Sequence, residues 1–494
     1  MAPFVHRLVV RSINQYINRR TDNERTDGKR PDKHTGKHTD NRLIAFGLAI
    51  ATIACTGQPI INNRALATDG GDVCTLNESV TTTPGTYSSN VDLTASVALL
   101  GDTAVDVVMT PQGAIAVTNT ENSAFLHWVN PATGEISRSV AWPTPISDIA
   151  FNGKSELAIA SQNTITRIAS DTGEPISQIS LPNVKRVAVT PDGQIGAIAD
   201  KTIYLYDADN NNIFSRLRDY TAVTDIEVFS CNGQQIVYVT SFQNARFTGL
   251  NGKRNPVQIA RLEAFDTNAE VLWSLFGDRP ETIKQNVADT RLYRVTMGRD
   301  GYLYIAGESA GTATIFRWRG QPMTEEEQLG QTPPFLSRID ENSSLHNSGA
   351  AHLPYYARVH PTEGELVTAQ MSFPRLSNTK ANAMRLGDIA VGADGSLYFG
   401  GAASASIPNR ENLTLNGVSV GEYGGKDRAW MAIAPDFQAR KFWTVLAAQK
   451  GKGIVRGVDT GYGYSAALSN AENGTVPVST GTEEGRVFIS FVAE

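Results

Sequence analysis

The sequence predicts an all-β fold of four-stranded antiparallel blades, and three observations carry that expectation. First, one pattern recurs: an apolar strand, a tight turn built on Gly, then a second strand rich in β-branched and aromatic residues. It reads Val105-Asp-Val-Val-Met-Thr-Pro-Gln-Gly113 before Ala114-Ile-Ala-Val117. It returns from Val184 to Gly193, from Tyr293 to Gly301 and from Asp388 to Gly395. Strands of about five residues joined by such turns are hairpins. Second, hairpins repeated at a long period are blades of a propeller. Third, long runs of helical periodicity are missing after the front of the chain, while Thr, Val, Ser and Gly are common.

The chain has 494 residues, 19% charged and 41% apolar, an ordinary globular balance. Its formal net charge of -6 gives a nucleic-acid partner no support. Residues 1–42 are rich in Arg, Lys and His, and from Arg20 to Arg42 almost nothing is apolar. Such a segment cannot bury a core and is expected to be a disordered basic tail. Residues 43–55 then give a short apolar run, Leu43 to Ile53, followed by Ala54 and Cys55. A basic region, a short apolar run and a small residue before a break form an export signal. The run is shorter than the roughly 20 residues that a membrane-spanning helix needs.

Residues 56–88, rich in Thr, Ser, Asn and Gly, read as a linker, and residues 89–494 as the propeller. Blade one spans about 104–142, with a third strand at Phe125–Val129. Blade two runs from Ile146 to Leu181, and blade three from Val184 to about Asp219, with a third strand at Thr202–Tyr206. Blade four opens at Val223 and closes at Phe276. Blade five opens at Tyr293 and closes at Ala369. Blade six opens at Asp388 and closes at Leu446. Blade seven starts at Gly453 and runs out at Val492 with only three strands. Val91–Leu99 is a spare strand ahead of blade one. The expectation is a single seven-bladed propeller, with six or eight blades as the alternatives, whose last blade is completed by that N-terminal strand, which would remove open sheet edges.

The motifs of blades four to seven resemble the bacterial SBBP-type propeller repeat. The likeness rests on Gly387-Asp388, Asp394-Gly395, Leu397-Tyr398, Gly400-Gly401, Gly424-Gly-Lys-Asp427, Pro435-Asp436 and Leu272-Trp273-Ser274. Blades one to three are similar to the shorter repeats of quinoprotein-like propellers, through Thr133-Gly134-Glu135 and Asp171-Thr172-Gly173-Glu174. The resemblance implies the fold and leaves the activity open, since propellers host unrelated functions. Ile53-Ala54-Cys55 resembles the end of a bacterial lipoprotein signal, although Thr52 stands where that signal usually has Leu. That likeness implies lipid attachment at Cys55 and a place in the bacterial cell envelope, at the outer membrane or cell surface. A cut at Ala65-Leu66-Ala67 would instead give a secreted protein.

Chemistry is sparse in the sequence. No Gly-x-Ser-x-Gly elbow, Cys–His pair or phosphate-binding glycine loop is present. His346, His352 and His360 share a stretch but match no metal-site spacing. Asp207 to Asn212 begins like a calcium loop yet lacks the Gly and the closing Glu, so it reads as an Asx turn. Trp142, Trp273 and Trp443 fall on fourth strands, where packing between blades explains them. No catalytic residue, metal site or cofactor is assigned. Cys74 and Cys231 either pair in an oxidising compartment or stand as separate thiols.

The expected role is therefore a non-catalytic module, monomeric, that binds an envelope protein or glycan. The alternative is a propeller-type enzyme, a quinone-dependent dehydrogenase or a lactone- or glycan-cleaving enzyme. Such an enzyme would gather polar side chains at the axial channel, and the sequence shows no acid, base or ligand cluster for it. The expected binding face carries the long second-to-third strand connections, 241–256, 309–354, 402–426 and 469–484. Its candidate residues are Arg246, Lys253, Arg254, His346, His352, Asn412, Asn416 and Tyr423.

Overall fold

The computed structural model describes Leu76 and residues 90–231, 234–248, 254–277, 289–310, 336–337, 351–372, 374–377, 382–437, 439–475 and 486–494. They form a β-propeller of antiparallel sheets, and in the first six the four main strands follow the chain from an innermost first strand outward. The first sheet is Thr103–Thr110, Gly113–Asn119, Ala124–Val129 and Ile136–Trp142. The second is Ile146–Phe151, Glu156–Ser161, Thr164–Ala169 and Pro175–Ser180. The third is Val184–Val189, Ile195–Ala199, Thr202–Tyr206 and Asn212–Leu217. The fourth, Ala222–Cys231, Gln234–Thr248, Arg254–Phe265 and Val271–Phe276, has a long central hairpin. The fifth is Thr290–Met297, Leu303–Ala310, His352–Val359 and Leu366–Met371, with Leu336–Ser337 added in parallel at its edge. The sixth is Met384–Val391, Leu397–Ala403, Asp427–Ile433 and Arg440–Val445.

The seventh sheet joins strands from distant parts of the sequence. Ala448–Gly461, Tyr464–Thr475 and Val487–Ala493 supply three strands, and Ala95–Leu99 pairs antiparallel with the last of them. The spare strand read as Val91–Leu99 is therefore divided. Asn90–Val91 leaves it to pair in parallel with Thr414–Leu415, in a small sheet finished by Val418–Ser419. Asn416 fixes the break between the two parts, because its side-chain oxygen accepts the Leu93 N–H at 2.6 Å.

Burial follows position in the sheet. The second strands are buried on both faces, as Ile195–Ala199 and Leu397–Ala403 are throughout. The fourth strands of the first three sheets are mostly exposed or half-buried, as Ile136–Trp142 is, whereas those of the fifth and sixth are mostly buried. The core lies between sheets: apolar clusters link the first to the second, the second to the third, and so on, and one links the seventh to the first. Donors also cross each of these seams from the first sheet to the sixth. Trp128 Nε1 donates to the Ser170 carbonyl at 2.7 Å, and Arg167 Nη1 to that of Ala208 at 2.5 Å. Arg216 donates to the Ala269 carbonyl. Tyr238 and Trp273 both donate to that of Pro361, and Gln370 to that of Phe437. Each acceptor sits in the third-to-fourth turn of the following sheet. The sequence places Trp273 in packing, and this bond fixes its direction.

One seam carries an unmatched charge. Arg428 is fully buried between the sixth and seventh sheets, and among the described residues none of its three guanidinium nitrogens has a hydrogen-bond partner. The neighbouring Asp427 carboxylate is taken by Arg410, at 2.7 and 3.1 Å. Burial lowers the Arg428 pKa to about 10, so it stays charged at neutral pH. A buried cation without a partner costs more than a well-packed apolar residue of similar size. Arg428→Met should raise unfolding stability in urea by about 1–2 kcal/mol. A loss of stability would show that the guanidinium is compensated. Deleting 90–99 strips Val97 and Leu99 from the seventh sheet and should cost roughly 4 kcal/mol, read as a lower melting temperature. An unchanged transition would remove that strand from the stabilising set.

Candidate functional site

Among the described residues, the innermost strands of the seven sheets above line one axial cavity of about 510 Å³. Each of these strands slips register by one residue at the same place, a β-bulge. A bulge bends its strand and re-aims the side chain beside it. The residues that follow the bulges are Asp106, Asp148, Arg186, Asp225, Arg294, Asp388 and Gly457. Two residues further along, Glu227 and Asp459 also line the cavity. The sequence-based expectation that no acid and base cluster exists is corrected here. Six carboxylates meet Lys154, Arg186, Arg294 and Arg299 around one space.

Most of these acids are engaged by the neighbouring sheet. Asp148 accepts the Val187 N–H at 2.8 Å, Asp225 that of Val295 at 3.0 Å, and Asp388 that of Val458 at 3.2 Å. One layer down, Asp459 accepts the Met109 N–H at 2.6 Å and Glu227 that of Met297 at 3.4 Å. In every case the donor belongs to the first strand of the next sheet around the cavity. The two arginines bridge the same acids. Arg186 bonds Asp148 at 2.9 Å and lies 3.7 Å from Asp225, while Arg294 bonds Asp388 at 2.7 Å. Asp106 differs, since among the described residues its carboxylate caps only the N–H of its own neighbour Val107. Gly457 stands beside it, and a Cβ there would lie 2.8 Å from an Asp106 oxygen.

Crowding acids in a buried hub moves their protonation. Burial, then repulsion from Asp388 and Asp148, holds Asp106 well above the ordinary carboxylate range. Burial raises Glu227 and Asp459 to about 7, against the N–H groups that favour their charged forms. Asp225 rises to about 6, because burial outweighs Arg186 and Arg294. Among the described residues, no group of three His, Cys, Asp or Glu side chains is arranged to hold a metal ion.

The long-connection face brings some of the expected residues together and leaves others apart. Arg246 and Arg254 share a groove of about 580 Å³ with Asn244, Gln258, Asp289 and Arg291. His352 lies 3.3 Å from Glu308 at the start of its strand. Asn412 ends a short 3₁₀ turn, and Asn416 is spent on Leu93. Tyr423 is half-buried. Lys253, His346, Cys55 and Cys74 lie outside the described residues, and Cys231 ends the innermost strand of the fourth sheet. The Asp207 turn is an Asx turn, its carboxylate accepting the N–H groups of Asp209 and Asn211. His360 accepts the Glu363 N–H in the turn equivalent to that of Asn130. Reading the sequence missed the axial ring and Arg291. The available signal was a charge at one register in repeated apolar strands.

No family model and no curated protein matches this chain. Among solved structures, it is similar to hydrazine synthase of Kuenenia stuttgartiensis, 11% identical over 75% of this chain and 94% of that one, with a TM-score of 0.46. It is also similar to the β-propeller domain of Cps50 (Swd1) from Myceliophteria thermophila, 9% identical over 81% and 99%, at 0.46. BamB from Moraxella catarrhalis is 12% identical over 81% and 99%, at 0.38. Likeness this distant assigns no activity.

Two opposed pH dependences follow. For Asp225, Glu227 and Asp459 the folded pKa is raised, so their contribution is full below about pH 4 and is lost as pH rises to 7. His127 is fully buried between Thr118 and Ser139, and burial lowers it from 6.5 to about 4. Its contribution is present above pH 6.5 and is lost as pH falls to 4. Asp459→Asn keeps an oxygen for Met109 and should flatten the first trend by on the order of 3 kcal/mol. His127→Gln should flatten the second by a similar amount, of order 3 kcal/mol. Urea unfolding across this range reads both, and unchanged slopes would contradict the assigned groups.

Proposed function

We propose that this chain is a non-catalytic recognition or scaffold module of the bacterial cell envelope. It is exported, attached to lipid through Cys55 after removal of residues 1–54, and held off the membrane by the linker of residues 56–88. Its propeller is one closed ring of seven blades, of which blades four to seven are SBBP-type repeats. It acts as a monomer and binds an envelope protein or glycan through the long-connection face. The observation that carries this reading is the use of the axial charges. All the acids of the hub except Asp106 accept a backbone N–H from the neighbouring sheet, so the cluster serves assembly. Arg246 and Arg254, on the other hand, are exposed in an open groove. The pairing of Ala95–Leu99 with the last sheet and the apolar cluster between the seventh and first sheets support the closed ring.

A second reading rests on the same cavity. Glu227 and Asp459, held at about 7, sit where general acids or bases operate at neutral pH. A propeller enzyme would use them on a small substrate in the hub.

Two measurements separate these outcomes. Shortening each long connection to a four-residue turn, followed by pull-downs from envelope extract, should remove partners while Glu227→Gln leaves them in place. Full retention of partners by every shortened variant would move the function away from this face. Mass spectrometry of membrane-extracted protein should find a diacylated Cys55 at the new N-terminus. A soluble product beginning at Thr68 would replace the anchor with secretion.

A further inference from the structure

The groove on the fourth sheet carries a pattern that names a ligand class. Its hairpin runs past the rest of the sheet, with Asn244 opposite Gln258, Arg246 opposite Pro256 and Thr248 opposite Arg254. Residues two apart share a face of a strand. Asn244, Gln258, Arg246, Pro256 and Arg254 therefore lie on one face. The amides of Asn244 and Gln258 bond to each other at 3.1 Å, and Arg291 of the fifth sheet donates to the Gln258 oxygen. Arg291 also lies over the Phe242 ring, at the base of the strip. From Phe242 to Arg246 is four residues, so the strip runs for roughly 13 Å. Three guanidinium groups face one carboxylate, Asp289, and that one already accepts the Gln258 N–H. Arg246 and Arg254 are exposed and make no side-chain bond among the described residues.

The edges of the hairpin are closed to another strand where it leaves the sheet. Thr221 takes the Asn244 N–H at 2.7 Å, Asp289 that of Gln258 at 2.8 Å, and Thr290 that of Ala260 at 3.1 Å. A peptide strand has no ladder of donors to join there, which is how such edges are protected. What the groove offers is a face of planar cations spaced by amides. Guanidinium groups bind carboxylates through paired hydrogen bonds, and amides suit hydroxyls.

We infer that this groove binds a uronate polysaccharide, its carboxylates on Arg246, Arg254 and Arg291 and its hydroxyls on the amides between them. The inference rests on the recognition reading of the long-connection face and gives that face its substrate class. The test is calorimetric titration of the full-length protein with a galacturonate trimer and hexamer at two salt concentrations. Hexaglutamate and a neutral glucan of equal length serve as comparisons.

The galacturonates should bind, more weakly at higher salt, and the neutral glucan should not. Arg246→Ala with Arg254→Ala should weaken binding by about tenfold or more at an unchanged melting temperature, since both side chains are exposed. Arg246→Lys with Arg254→Lys should fall between, because the charge remains and the paired geometry is lost. Equal affinity for hexaglutamate would overturn the glycan assignment in favour of an acidic protein. So would galacturonate binding that the double alanine variant keeps. If galacturonate fails to bind while shortening 241–256 still strips partners from the pull-down, the ligand class falls and the recognition face stands. If the shortened variant also keeps every partner, both fall.

Discussion

The structure depends on one contact, repeated around the hub: a carboxylate on one sheet accepting a backbone N–H from the innermost strand of the next. An innermost strand pairs on one side only. Its other edge faces the cavity, and donors buried there must find an acceptor. Asp148, Asp225 and Asp388 supply it in one layer, Glu227 and Asp459 in another. The same contact fixes the spacing and rotation of neighbouring sheets, because the bulge before each acid sets where its side chain reaches.

That solution concentrates negative charge, and the rest of the hub is a response to it. Arg186 and Arg294 occupy positions where other sheets have Asp, and each reaches an acid of an adjacent sheet. Burial opposes the charge of Arg186, yet Asp148 and Asp225 overcome it and hold the guanidinium protonated. Gly457 is set by sterics, since Asp106 lies where its side chain would begin. At the rim the logic changes from electrostatics to donors: Trp, Arg and Tyr side chains reach turn carbonyls of the following sheet. From the second sheet to the sixth, hub and rim thus tie each seam at two radii, with apolar packing between them.

Much of the fold was legible in the sequence, because its strands are short and bounded by turn residues. Thr202–Tyr206 falls as read, and the third strand of the first sheet differs by one residue. The hub was present but disguised. Asp106, Arg186, Arg294 and Asp388 each stand seven residues before a turn glycine, Gly113, Gly193, Gly301 and Gly395. A charge in an alternating strand reads as an outward-facing residue. The bulge adds one residue and reverses that phase, and nothing in the local sequence announces a bulge. Arg428 was illegible for a related reason. Following Gly424-Gly425-Lys426-Asp427, it looks like the polar start of a strand, yet Gly453 and Phe488 of the seventh sheet pack against it. The groove was partly visible: Arg246 and Arg254 stood out by charge, while Arg291 arrives from another sheet.

The pairing of Ala95–Leu99 with Val487–Phe491 also governs the order of events in time. Joining strands nearly four hundred residues apart costs roughly 5 kcal/mol in chain entropy if the intervening segment is unstructured. Little of that cost remains once the six intervening sheets have formed and brought the ends near each other. The seventh sheet is therefore the natural last step of folding, and during synthesis Ala95–Leu99 must wait for nearly all the chain that follows. While it waits, its apolar residues are open to other partners, including the same strand of a second molecule. An exchange of that strand between two copies is the error to which this architecture is most exposed.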